Sequence, residues 1–396
     1  ALSSAASDVY KRQDMENEKL LCRNEVSHDE SQEIEKANFS ALTLMLAQEC
    51  NMRCSYCYGE GGEYNNKGIM TENVAFQAID YLVKNSTDEL LHIAFLGGEP
   101  LLNFPLLKKV VEYCKQISAD TGKKFSYTIT TNGTLITDNI EKYLTENKIV
   151  CQISLDGTKE KNDMNRFFRN KKGSYDVIVE KTKSMRHMNL VTARATVTPD
   201  NSDYKEIFNH LNELEFRAIP IAIAQNMVDD EQFDKILSEY INYIFYFEEL
   251  ILTKQYAKAK KMTDLVNALE KIEFGNVRNN GCGAGRTMFA VDIDGTLYPC
   301  HRFVGERKFA LGNIWTGSDN SKFLKMINVR NRDKCSKCWA QNLCLGCCPH
   351  ENYTNTNNIN LASERSCRMA KTIYEKLISV YIKMSDEDKK MMWPED

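Results

Sequence analysis

An α/β fold on a parallel sheet, followed by a smaller cysteine-dense domain, is predicted by three observations. Six apolar runs of strand length alternate with amphipathic stretches between residues 41 and 224. A Gly/Asn-rich segment, Asn276–Gly285, then breaks the rhythm. Beyond it, eight of the 14 cysteines fall between Cys282 and Cys367. The composition, 42% hydrophobic and 27% charged, supplies one large core and a second, smaller unit. A net charge of −4 leaves no basic footprint, so no nucleic-acid partner is expected. The best candidate for a membrane span, Ile241–Leu252, is interrupted by Glu248 and Glu249 and reads as a helix outside any membrane.

The elements follow in order. Residues 1–40 form an N-terminal segment. Within it, Ala1–Gln13 lack the apolar stretch of a signal peptide and read as a non-native extension before Met15, while Asn17–Lys36 is acidic and helix-like. Without an export signal the expected compartment is a reducing cytoplasm, where clustered cysteines point to metal or redox chemistry. Residues 41–275 form the main unit. Its strand candidates are Ala41–Ala47, Leu90–Leu96, Phe125–Thr131, Ile149–Leu155, Val191–Thr198 and Phe216–Ala224. Val74, Ala78, Ile79, Leu82 and Val83 mark one intervening helix. Leu107, Val110, Val111, Cys114 and Ile117 mark the next, which Pro105 is placed to open. Ile207, Phe208, Leu211 and Leu214 mark a third, and a helical region over Asp230–Ile272 completes the unit. Lone Cys114 and Cys151 sit in apolar surroundings and read as core residues.

Six β–α alternations imply right-handed crossovers in a parallel sheet. Near-continuous apolar strands fit a sheet covered by helices and curled around an interior. An open TIM-type barrel and a doubly wound sheet both satisfy the pattern, and both place the site at the carboxyl ends of the strands. In residues 276–396, Met288–Ile293 and Thr296–His301 flank Asp294-Gly295, a hairpin signal. The remainder is short-looped, as expected where metal sites substitute for a core.

The first cysteine group follows the first strand. Cys50-Asn-Met-Arg-Cys54-Ser-Tyr-Cys57 has the spacing CxxxCxxC. Three thiolates on one loop can hold three irons of a cubane, leaving one iron for a small chelating ligand. A zinc site or free thiols would satisfy the same spacing. Gly97-Gly98-Glu99-Pro100 closes the second strand, Asn132-Gly133 the third, and Ser154-Leu-Asp156-Gly157 the fourth. Four loops would then open on one face, with Glu99 available to an ammonium group and other acceptors suited to a ribose.

Over roughly Ala41–Ala224 the chain resembles the radical S-adenosylmethionine (SAM) superfamily, on CxxxCxΦC at Cys50, Cys54, Tyr56 and Cys57 and on GGE at Gly97, Gly98 and Glu99. The resemblance implies a partial (β/α)6 TIM-type barrel. It implies a [4Fe–4S] cluster that chelates SAM, Tyr56 against adenine, and Gly97, Gly98, Glu99, Pro100 and Asn132 around the methionine moiety. Ser154 and Arg166 match positions that approach the ribose and carboxylate in related maturases. Reductive cleavage of SAM to a 5′-deoxyadenosyl radical follows from the same resemblance.

Past the boundary, Cys282, Cys300, Cys335-x2-Cys338-x5-Cys344-x3-Cys348 and Cys367 exceed one zinc knuckle and resemble the SPASM domain, which binds two auxiliary [4Fe–4S] clusters. The resemblance assigns Cys335, Cys338, Cys344 and Cys367 to one cluster and Cys282, Cys300 and Cys348 to the other. Gly346-Cys347-Cys348 departs from the usual Gly-Gly-Cys, so Cys347 is either an additional ligand or a free thiol. SPASM enzymes include sulfatase-maturing enzymes and thioether-forming maturases of ribosomal peptides, the sactipeptide, ranthipeptide and SCIFF types. The sulfatase maturases place Asp where this chain has His301, a candidate catalytic residue or a hairpin-end histidine bonded to backbone. Tyr298–Gly305 and Lys337-Cys-Trp-Ala340 look more like the ranthipeptide maturases. The expected partners are a precursor peptide or protein and an electron donor such as ferredoxin or flavodoxin. Met15–Asn38 is too short for an entire leader-binding element, so a truncated recognition region or a separate recognition protein is expected. A non-enzymatic electron carrier would need the C-terminal clusters but not Gly-Gly-Glu-Pro.

Overall fold

The computed structural model describes residues 37–275 and 281–394; the helix-like reading of Asn17–Lys36 lies outside them. Among the described residues eleven strands are present: β1 (Ala41–Gln48), β2 (Gly68–Ile69), β3 (Leu90–Gly97), β4 (Lys124–Thr131), β5 (Val150–Ser154), β6 (Val191–Val197), β7 (Ile221–Ile223), β8 (Met288–Val291), β9 (Thr296–Tyr298), β10 (Gly312–Asn313) and β11 (Gly317–Ser318). They lie in the order β11-β10-β9-β8-β1-β3-β4-β5-β6-β7, with β2 paired to β1 off this path. From β1 to β7 every neighbour in that order is parallel, and spatial order follows chain order without reversal. A doubly wound sheet reverses at a switch point, whereas a barrel adds strands in sequence. The chain therefore folds as six barrel strands in an open sheet that ends at β7 and β11.

The crossovers are helical for local reasons. Thr71 caps Glu72–Lys84 by accepting from Val74 N–H, and Pro105 sits in the first turn of Phe104–Thr121. That second helix stops at Gly122, whose φ of +75° is left-handed. Strand side chains divide by the period of two. Leu42, Leu44, Ile93, Phe95, Ile129, Cys151, Ile153, Ala193 and Ala195 are buried in the core. Their alternates Thr43, Ala94, Thr130, Gln152, Ser154, Arg194 and Thr196 line an interior cavity of about 510 Å³. The inner face is thus more polar than near-continuous apolar strands would make it. Cys114 and Cys151 are fully buried core residues.

The sixth strand is shorter than its apolar run. Of Phe216–Ala224 only Ile221–Ile223 is strand. Pro220 has no N–H for a ladder, and Ile219 donates to the Lys261 carbonyl (2.8 Å). Beyond the barrel, Asp294-Gly295 does turn a hairpin, with Val291 opposite Leu297 and Gly295 at φ +83°. Strand β8 also pairs in parallel with β1, Ala41 opposite Met288, so the C-terminal part continues the barrel sheet. The long helices Asp230–Leu252, Thr263–Glu273 and Glu364–Lys383 pack together behind it. Among the described residues no helix is long and apolar enough to cross a membrane.

Candidate active site

The loop after β1 carries the CxxxCxxC cysteines into the cavity at the carboxyl ends of the strands, where Cys50, Cys54 and Cys57 all contribute to its wall. The loop lacks regular structure and is strapped instead. Arg53 N donates to Phe167 O (2.8 Å) and Ser55 N to Asn165 O (2.9 Å). The Cys50 carbonyl accepts from Arg53 Nη1 (3.0 Å) and from Arg169 Nη2 (2.7 Å). Burial pushes the Cys50 thiol up to about 11 and raises Cys54. As thiolates both would therefore need a cationic partner, which a metal cluster supplies.

Gly97 and Gly98 let the second loop run against the first. A Cβ on Gly98 would stand 2.3 Å from the Glu49 carbonyl oxygen, and one on Gly97, at φ +143°, 2.2 Å from that of Ala47. Gly98 N donates to Ala47 O (2.7 Å) and Glu99 N to Glu49 O (2.8 Å). Glu99 is wholly buried. Its Oε1 accepts from Leu101 N (3.0 Å) and Thr131 Oγ1 (2.7 Å), and its Oε2 from Asn132 N (2.8 Å). Burial raises its pKa against those donors. The carboxylate thus joins the second and third loops and retains one lone pair. Gly97, Gly98 and Asn132 line the cavity; Glu99 and Pro100 stand behind it. Asn132 Nδ2 reaches Asn51 Oδ1 (2.9 Å) and Cys50 Sγ (3.8 Å).

Opposite, Tyr56, Asp156 and Arg166 form a buried network. Tyr56 donates its hydroxyl proton to Asp156 Oδ2 (2.5 Å) and accepts from Arg166 Nη1 (2.7 Å). Asp156 Oδ1 accepts from Thr196 N (2.9 Å), which anchors the network to β6. Burial raises Asp156 despite the Arg166 guanidinium. Arg166 is 6% exposed, and its Nε is a buried donor without a partner among the described residues. Such a donor is costly unless a ligand acceptor reaches it. Ser154 lines the same wall.

His301 also reaches the cavity, and burial lowers its pKa to about 4, with the Arg302 and Arg194 cations acting in the same direction. His350, which sequence reasoning missed, lines the cavity beside it and is likewise lowered to about 4 by burial. Its ring meets those of Phe303 (5.2 Å) and Tyr58 (6.4 Å) edge-on. Arg302, also missed, pairs with Glu351 (2.7 Å), lies over the Tyr58 ring (5.5 Å) and points Nη1 toward Cys348 Sγ (3.9 Å). Gln152, Arg194 and Thr196 were missed too, though polar residues interrupting a period-two apolar pattern are a usable signal.

The C-terminal cysteines separate into two groups. Cys282, Cys300 and Cys348 lie within electrostatic reach of one another behind the His301–Arg302 wall. Cys335, Cys338, Cys344, Cys347 and Cys367 line a second cavity, about 590 Å³, away from the first. Adjacent Cys347 and Cys348 thus belong to different groups. Among the described residues no three His, Cys, Asp or Glu side chains converge on a position for a single ion. Thiols spread around a space suit a cubane, where each iron takes one thiolate.

Three features fit a SAM-chelating cluster: the three-thiol loop, the Gly97–Gly98 cradle that a Cβ would fill, and the partnerless Arg166 Nε suited to a carboxylate. Residues 45–214 match the radical SAM superfamily model, and residues 282–339 match SPASM, an iron–sulfur cluster-binding domain. The chain belongs to the radical SAM superfamily. This radical SAM enzyme uses SAM and [4Fe–4S] clusters as cofactors. It is 26% identical over 373 residues to a cysteine-type anaerobic sulfatase-maturating enzyme of Clostridium novyi (strain NT), covering 86% of this chain and 96% of the relative. It is 22% identical over 358 residues to the radical SAM cyclopropyl synthase TigE of Paramaledivibacter caminithermalis, covering 85% of this chain and 74% of TigE. The fold is shared with native anSMEcpe with bound AdoMet and Cp18Cys peptide, at a TM-score of 0.73 and 22% identity, over 87% of this chain and 99% of that one.

Proposed function

We propose that this radical SAM enzyme oxidatively modifies a peptide, closing thioether crosslinks from the cysteines of a ribosomally made precursor. The reading takes residues 41–275 as the radical SAM unit and residues 276–396 as the SPASM unit. Cys50, Cys54 and Cys57 would hold the SAM cluster, with Tyr56, Gly97, Gly98, Asn132, Ser154 and Arg166 around SAM. Bound there, cluster and SAM supply a carbon radical able to remove a hydrogen atom from substrate. The Gly97–Gly98 backbone shapes the bottom of the cavity, Arg166 orients a carboxylate through its free Nε, and the polar strand residues hold a peptide backbone in place.

The observation that carries the thioether reading is the company Cys347 keeps. Because it stands with Cys335, Cys338, Cys344 and Cys367, the group of Cys282, Cys300 and Cys348 retains three thiols. Three thiols holding a cubane leave a coordination position for a ligand from outside the chain, and a substrate thiolate has the matching softness. His301 and His350, held neutral by burial, face the same space and can accept a hydrogen bond from a substrate N–H or S–H. An external one-electron donor of the ferredoxin or flavodoxin type, a cytoplasmic setting and a separate recognition protein accompany the proposal.

Co-expression with a short Cys-rich precursor peptide tests it. The product should lose about two daltons per crosslink, since two hydrogens leave and the cofactor contributes no atoms. It should also resist thiol alkylation at the linked cysteine. A second reading, oxidation of a sulfatase cysteine to formylglycine, is favoured by the Clostridium novyi relative, of which the alignment covers 96%. An aldehyde on a sulfatase peptide, with Cys-rich peptides untouched, would establish that reading and overturn the first.

A further inference from the structure

The five-thiol group holds one thiol more than a cubane can take. Cys344 Sγ and Cys347 Sγ are 3.4 Å apart, and Cys367 lies close enough to Cys347 to interact with it. Cys347 thus stands beside two of the four assigned ligands, where it can serve in place of either.

The backbone is built to bring Cys347 there. Leu345, Gly346 and Cys347 run at φ +54°, +81° and +62°, three consecutive left-handed residues of which two carry side chains. Such a run persists only where its surroundings hold it. The Gly346 carbonyl accepts from Arg332 Nη1 (2.8 Å) and Asn352 Nδ2 (2.9 Å), both on buried side chains. Cys348 then returns to extended backbone (φ −73°, ψ 124°) as N-cap of the helix Pro349–Thr356. The reversal sends neighbouring thiols to opposite groups. A glycine at 347 would meet the turn with less strain, so the thiol stands there against backbone preference.

We propose that Cys347 is a reserve ligand of the cluster held by Cys335, Cys338, Cys344 and Cys367, able to take the iron of Cys344 or of Cys367 when that thiol is lost. The inference rests on the two-auxiliary-cluster reading of the SPASM unit. Iron and acid-labile sulfide are measured on full-length protein purified anaerobically, with the EPR spectrum of the reduced clusters. Wild type should carry about twelve irons, four per cubane. Cys344→Ala should keep about twelve and the same cyanide-sensitive EPR signals as wild type, whereas Cys344→Ala/Cys347→Ala, left with three thiols and an open iron, should gain one more such signal or fall to about eight. A fall to about eight or a further cyanide-sensitive signal in Cys344→Ala alone overturns the proposal, as does a double variant that keeps about twelve and gains no such signal. Wild type with iron for only one cubane would overturn the cluster reading itself, a separate result. Should the double variant fail to fold, alkylation of loaded wild type decides. One reactive thiol shared among Cys344, Cys347 and Cys367 supports the assignment; five protected thiols, or a label on Cys335 or Cys338 alone, overturns it.

Discussion

Gly98→Ala should cripple the enzyme through a single methyl group. The added Cβ would stand 2.3 Å from the Glu49 carbonyl oxygen, 2.6 Å from its carbon and 2.7 Å from the Gly62 carbonyl oxygen. All three are backbone atoms, so no side chain can rotate away. Relief requires the first and second loops to separate by roughly 1 Å, given ordinary contacts of about 3.5 Å. That separation lengthens the bonds Gly98 N–Ala47 O and Glu99 N–Glu49 O, now 2.7 and 2.8 Å. Overpacking of this kind costs about 1–3 kcal/mol, and two weakened hydrogen bonds add about 1 kcal/mol. With about 3 kcal/mol lost, and about 2.1 cal/mol/K of unfolding entropy per residue over 396 residues, Tm falls by about 4 °C. The displaced loop lines the cavity, so formation of 5′-deoxyadenosine should drop by about 100-fold, the usual consequence of a shift near 1 Å. Gly122→Ala is the control. Gly122 is left-handed, at φ +75°, but nothing lies within 4 Å of its Cβ position. It should cost about 1 kcal/mol and leave SAM cleavage unchanged. A Gly98→Ala enzyme that melts and cleaves SAM like wild type would refute the close approach of the two loops.

Replacing Cys50, Cys54 and Cys57 together by Ala should abolish 5′-deoxyadenosine formation while about eight of about twelve irons remain; undiminished cleavage sinks the assignment. Glu99→Gln keeps an acceptor for Leu101 N and Thr131 Oγ1 but turns an amide N–H₂ toward Asn132 N. Urea unfolding should register a loss of about 1–3 kcal/mol, and a neutral result would mean the loops are joined by other contacts. Arg166→Lys removes the fork that serves Tyr56 and the free Nε, so SAM affinity measured by equilibrium dialysis should weaken about tenfold or more; unchanged affinity would separate Arg166 from SAM. His301 and His350 are lowered to about 4 from 6.5, so the unfolded chain binds more protons between those values. Their stabilising contribution is full above pH 6.5 and lost as pH falls toward 4, and a double Gln variant should flatten the Tm-versus-pH curve there.

The radical SAM core was readable because its chemistry is written at short range. CxxxCxxC at Cys50–Cys57 and Gly97-Gly98-Glu99-Pro100 each span fewer residues than one loop, and the period of the apolar residues placed both at strand ends. The strand alternation was legible for the same reason, except at Phe216–Pro220, where Pro220 and the bond from Ile219 to Lys261 overrode an apolar run. Glu99 was readable as a site residue but not as a tie between loops. Its partners Thr131 and Asn132 lie more than thirty positions away.

Residue order and spacing alone thus determined the parallel α/β class, the three-cysteine loop, the glycine cradle and the hairpin at Asp294-Gly295, since each depends on bonds between near neighbours. Tertiary structure alone decided the rest. It bore out, through the unreversed order β1-β3-β4-β5-β6-β7, the barrel that periodicity left open and the motif resemblance implied, and it continued that sheet through β8. It closed the Tyr56–Asp156–Arg166 network across 100 and 110 residues of chain. It brought His350 beside His301, and it sent Cys347 and Cys348 to different groups although they share a peptide bond. Those outcomes depend on three left-handed residues and on contacts between distant segments, and neither is encoded in the spacing of cysteines.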